Sequence, residues 1–146
     1  MLSNFRRRGL LPLLIGFARM ALGQYRSGTD GRKAIVIDTQ KLPWTKQMNE
    51  KTLKNFFVKN LVRDKETGME VLLVRYPARV VTPLHTHPCA HGMYVLDGTL
   101  MTHEGRYGPG HFVWFPEGAH IEHGATSETD VTVLFVTNKQ FGINYL

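Results

Sequence analysis

From Ala34 onward the apolar residues come in short runs, and turn-forming residues separate them at nearly regular intervals. Runs at 56–63 and 70–76 flank Asp64-Lys65-Glu66-Thr67-Gly68, which reads as a hairpin connection. Further runs follow at 93–96, 99–103, 111–115, 119–123 and 131–137. Asp97-Gly98, Glu104-Gly105, Gly108-Pro109-Gly110, Pro116-Glu117-Gly118 and residues 127–130 lie between them. A shorter β-rich run occupies 34–38, and 42–44 holds a proline suited to an edge or a loop. Strands of this length and spacing predict an all-β sandwich or barrel. After Lys33, helical periodicity is confined to one stretch, 47–55. No fixed-period repeat or low-complexity tract interrupts the pattern.

With 146 residues the chain is one domain's worth of polypeptide, and 42% hydrophobic residues exclude a disordered chain. The lone cysteine, Cys89, excludes an internal disulfide and any zinc site that needs two thiolates. No stretch approaches eighteen uninterrupted apolar residues, so no stable membrane span is expected. The net charge of +6 suggests nucleic acid until it is located. Residues 1–33 carry seven basic residues and one acid, leaving eleven of each sign in 34–146. The body is neutral, and no nucleic-acid partner is expected.

The basic leader, 1–33, is separated here from a domain spanning 34–146. Its triple arginine, Arg6 to Arg8, precedes an apolar stretch at 9–18, as in a bacterial export signal, even a twin-arginine one. Arg19 cuts that stretch short and no A-x-A triplet follows. A surface amphipathic helix or a plain N-terminal extension therefore stays open beside it. The expected location is cytoplasmic, or periplasmic if residues 1–23 act as an export signal.

All seven histidines fall between positions 85 and 123. Neutral imidazole is a ligand for zinc, iron, copper and nickel, so this clustering is the main chemical signal. In His85-Thr86-His87 the two imidazoles stand two residues apart, on one face of an extended chain, bracketed by Pro83 and Pro88. Near 120 two candidates compete. His123 shares a strand face with Ile121, and His120 shares the other with Glu122. The apolar neighbour assigns His123 to the interior, unless a bulge near the turn reverses the parity. His103 and His111 read as ordinary barrel or rim residues.

The stretch PLHTHPCAHGMYVLDGTL resembles the first cupin motif, and GPGHFVWFPEGAHIEH resembles the second, in the family's order. The resemblance covers roughly residues 40–138 and implies a single jelly-roll barrel of antiparallel strands around a metal. Two features depart from the common pattern, one of them that both His120 and His123 follow Gly118 in the second motif. His91 stands where most cupins carry a metal-binding glutamate, and it is either a fourth ligand or a residue behind the ligands. The chain is also similar to the three-histidine acetylacetone dioxygenase and dihydroxyacetophenone dioxygenase groups. It shares with them the HTH pair, the PEG turn and a histidine seven residues after its proline. In that group a glutamate near the metal supports ligands or substrate, and Glu117 is the matching position.

The resemblance implies a metal site of His85, His87 and His123, with His91 beside them and Glu117 in a catalytic role. It implies Fe(II), with zinc, nickel and manganese as alternatives, and a small enolisable diketone or hydroxyketone cleaved with dioxygen. Three neutral imidazoles leave a divalent ion its full charge, which suits an anionic chelating substrate. Phe112, Trp114, Tyr94, Met93, Met101, Phe135 and Leu134 are the expected wall. Two other readings remain open, a cupin isomerase or lyase and a non-catalytic metal or small-molecule sensor. A sensor of the anti-sigma type would carry a second His/Cys site, and residues 1–40 contain neither residue. A homodimer is implied too, with residues 34–38 exchanged.

Overall fold

Alternation of inward apolar and outward polar residues produces eleven strands in the computed structural model, which describes residues 33–146. The expected leader lies outside the described residues, apart from Lys33. In chain order the strands are β1 (Thr45–Met48), β2 (Asn55–Arg63), β3 (Glu70–Tyr76), β4 (Val81–Thr86), β5 (His91–Gly98) and β6 (Leu100–Thr102). They continue with β7 (Gly105–Tyr107), β8 (Phe112–Phe115), β9 (Ile121–Ala125), β10 (Val131–Thr137) and β11 (Asn144–Tyr145).

All pairings are antiparallel and form two sheets. One runs β1-β2-β3-β10-β5-β8, the other β11-β4-β9-β6-β7. The core lies between their inner faces. β10 shows the pattern most cleanly, with Val131, Val133 and Phe135 buried and Thr132, Leu134 and Val136 half-buried. Among the described residues no helix is long and apolar enough to cross a membrane.

Three local expectations are corrected. Residues 47–55 form no helix. Gln47 and Met48 end β1, and a turn follows in which the Asn49 side chain accepts from the Lys51 and Thr52 amides at 3.0 and 2.9 Å. That local bond competes with helix for the same donors. Residues 34–38, expected as a β-rich run, form no strand, and Ile35 and Val36 are exposed. Phe112, Trp114 and Tyr94, expected in the pocket wall, face outward from β8 and β5. Their partners in the ladder explain this, because Met93 and Phe115 hold the opposite parity and fill the interior.

Gly98 ends β5 at φ +74, and a Cβ there would collide with the Asp130 carbonyl. Gly98→Ala therefore lowers the thermal midpoint. The left-handed backbone alone costs about 1–2 kcal/mol, and the displaced carbonyl adds to it. A melting curve superimposable on the parent's contradicts this.

Candidate metal centre

Pro83 has no amide hydrogen to donate, and the β4–β9 register shifts between Thr82 and His85. The shift breaks the alternation of β4, so that Thr82 and His85 both face inward while Leu84 is exposed. His87 follows two residues after His85, just past the strand, and is buried as well. From the neighbouring strand β9 of the same sheet, Ile121 and His123 point inward. His120 precedes β9 and is exposed.

One ligand-type atom from each of His85, His87 and His123 lies within 4.8 Å of the other two. The hydrogen bonds around them fix the ring tautomers. The Nδ1 of His85 sits 2.6 Å from the Pro83 carbonyl, and that of His87 bonds the Gly142 carbonyl. Carbonyls only accept, so both Nδ1 atoms carry the proton and both Nε2 atoms are left with lone pairs. Those two Nε2 atoms face each other at 2.9 Å. Two lone pairs at that distance repel, and a cation held between them turns the repulsion into attraction. Both ring nitrogens of His123 are buried and lack any hydrogen-bond partner. Buried polar atoms without partners are costly in a fold that does nothing with them. This donor set fits a metal ion.

Burial keeps the rings neutral. It lowers the pKa of His85, lowers that of His87 to about 4, and pushes that of His123 well below the usual imidazole range. Mutual repulsion among the rings adds to the effect at His87 and His123. At neutral pH the site presents free-base ligands, and binding a cation displaces no proton from them.

His91 enters from the start of β5. Its ring stacks on Phe115 at 4.8 Å, tilts against Phe135 at 5.0 Å and meets the His87 ring edge-on at 4.7 Å. Both of its nitrogens are unpartnered, and burial first, then His87 and His85, lower its pKa to about 3. It does not join the three histidines whose nitrogens converge. Glu117 is not brought to the site. Its carboxylate pairs with Lys139 at 2.8 Å, its side chain is about half exposed, and it does not line the cavity. The turn instead contributes through its backbone, the Gly118 amide donating to the His87 carbonyl at 3.1 Å.

A cavity of about 230 Å³ opens onto His85, His87 and His123. Phe56, Val58, Leu72, Val74 and Phe135 supply its apolar wall. Among the described residues no lysine or arginine lines it, and Glu50 is its one carboxylate. Tyr76 also lines it, buried, its ring edge-on to His123 at 5.9 Å. Burial raises the pKa of this phenol far above its usual value. Phe141, Ile143 and Tyr145 complete the wall. The sequence reading assigned nothing to these last three, although their strict apolar alternation is a strand signal.

Comparison with known proteins agrees with this architecture. A cupin-like protein of unknown function from Ralstonia eutropha shares 20% identity at a TM-score of 0.65, covering 77% of each chain. The polyketide cyclase RemF from Streptomyces resistomycificus shares 14% at 0.63, covering 78% of this chain and 86% of its own. A candidate acetylacetone dioxygenase from Methylibium petroleiphilum shares 11% at 0.63, covering 73% and 78%. These likenesses carry the fold, an all-β antiparallel cupin. No curated protein matches the sequence. The family model of the ChrR cupin-like domain matches residues 32–142, and the chain belongs to that family.

Proposed function

We propose that the protein is a metal-dependent dioxygenase that cleaves a C–C bond in a small enolisable diketone or hydroxyketone. The observation that carries this reading is the meeting of His85, His87 and His123, with no carboxylate among them, at the floor of an apolar cavity. In this reading they hold the metal, and His91 shields the ligands from behind rather than binding. An Fe(II) ion held by His85, His87 and His123 would supply a dipositive charge undiminished by any carboxylate ligand and would let dioxygen meet the enolate, whose own electrons reduce it.

The chain's own residues do the rest. The neutral imidazoles take none of the ion's charge, so a monoanionic chelate is favoured. Phe56, Leu72, Val74 and Phe135 exclude water and admit an apolar substituent. The absence of lysine and arginine from the lining among the described residues disfavours substrates with a second anionic group. Glu117, paired on the surface, is given no part at the reacting atoms. The homodimer in this reading is supported by the outer face of β5 and β8, where Tyr94, Phe112 and Trp114 are 40%, 58% and 51% exposed.

A metal-dependent lyase or isomerase is the second reading, favoured by Tyr76, which places a phenol in the cavity beside His123. One experiment separates the two. The purified protein is assayed for its metal, loaded with Fe(II), and given acetylacetone in an oxygen electrode. Iron-dependent oxygen uptake is expected. Tightly held zinc with no uptake, by the native or the iron-loaded protein, overturns the dioxygenase in favour of the lyase, the isomerase or a sensor.

A further inference from the structure

The segment 141–146 touches the metal centre at several points. Its β11 pairs with β4, Tyr145 lying opposite His85 and Asn144 opposite Thr86. Leu146 extends the ladder by donating its amide to the Leu84 carbonyl at 3.2 Å. The Gly142 carbonyl accepts the Nδ1 proton of His87. The Phe141 ring lies 4.7 Å from the His87 ring and 5.7 Å from that of Phe135. The Phe141, Ile143 and Tyr145 side chains form one side of the cavity. A Cβ on Gly142 would stand 3.0 Å from Cγ of Pro88, so the glycine lets the carbonyl reach its histidine.

We infer that 141–146 is a working part of the metal centre, in which Gly142 positions His87 through its carbonyl and Phe141, Ile143 and Tyr145 set the size of the ligand the cavity admits. The inference rests on the metal-centre reading above. Its physical basis is the tautomer. Without the Gly142 carbonyl, His87 is free to carry its proton on Nε2, the atom that faces His85, and a ring so protonated cannot donate a lone pair there. Partners of this kind orient the ring and raise its basicity, and removing one typically costs 10- to 100-fold in metal affinity. Coupling runs both ways. A metal that fixes His87 also holds Gly142, and with it the wall that Phe141, Ile143 and Tyr145 build.

Two measurements with Zn(II) as the probe test this. The first compares the parent with full-length Gly142→Val, which presses on Pro88, by competition against a chromophoric chelator. The variant is expected to bind Zn(II) roughly 10- to 100-fold more weakly, while its metal-free circular dichroism stays that of the parent. Gly142→Leu, also full-length, is expected to weaken binding in the same direction. The second needs no variant. Amide exchange in 141–146 of the full chain is expected to slow on adding Zn(II). Affinities within twofold of the parent for the folded variants, or exchange that Zn(II) leaves unchanged, overturn the inference while the metal centre stands. A full chain that binds neither Zn(II) nor Fe(II) overturns the metal centre, and the inference with it.

Discussion

His123→Ala abolishes metal binding, and His120→Ala leaves it within about twofold of the parent. The two residues are three positions apart, and strand parity separates them. His123 points from β9 into the interior, where its nitrogens have no other partner, while His120 stands exposed before the strand begins. Losing one of three ligands removes a bond rather than a supporting contact. The fall in affinity should therefore exceed the roughly 100-fold upper range for outer partners. Equilibrium dialysis against Fe(II) or Zn(II) reads it directly. The metal-free His123→Ala chain is expected to stay folded, because alanine removes two unpartnered buried nitrogens even as it loses packing. Loss of binding in the His120 variant with retention in the His123 variant would reverse the assignment.

The metal-free protein is expected to lose stability steeply as pH falls from 7 to 5. Burial lowers the pKa of His85, His87, His91 and His123 in the folded state, to about 4 for His87 and about 3 for His91. In the unfolded chain each returns to about 6.5. Below that value the unfolded state takes up protons that the folded state refuses, so acid favours unfolding. The stability is fully present above about 6.5 and drains as the pH drops toward the folded values. Each histidine contributes up to about 1.4 kcal/mol per pH unit across that window. Bound metal delays the loss, since it occupies the lone pairs that protons would take. Thermal melts at pH 7, 6 and 5, with and without Fe(II), check both statements. A melting temperature flat across that range in the metal-free protein would contradict them.

Much of this was legible in the sequence because strands encode burial with a period of two. The runs at 56–63, 70–76 and 131–137 became β2, β3 and β10 with little change of boundary. The same periodicity separated His123 from His120. Most of what stayed hidden depends on contacts between residues distant in the sequence. The aromatic residues of β8 were expected inside on their hydrophobicity, but register with β5 gives the interior to Phe115 and turns Phe112 and Trp114 out. Glu117 matched a family position, yet Lys139, more than twenty residues on, holds its carboxylate at the surface. The stretch 47–55 has helical spacing, and the Asn49 side chain captures the amides that a helix would use. Gly142 carries no side-chain chemistry, and its role at His87 resides in a main-chain oxygen that composition does not reveal.

The bulge at Pro83 has a kinetic consequence. His85 and His123 face each other only once β4 has found β9 in its shifted register, and those strands are distant in the sequence. A chain with that pair slipped by one residue would turn a ligand to solvent. Ion capture thus reports the arrival of the correct topology, and it should track the slow, late closure of the barrel rather than the early collapse of neighbouring hairpins. Nascent or refolding molecules would stay unable to sequester a cation until that final ladder has zipped.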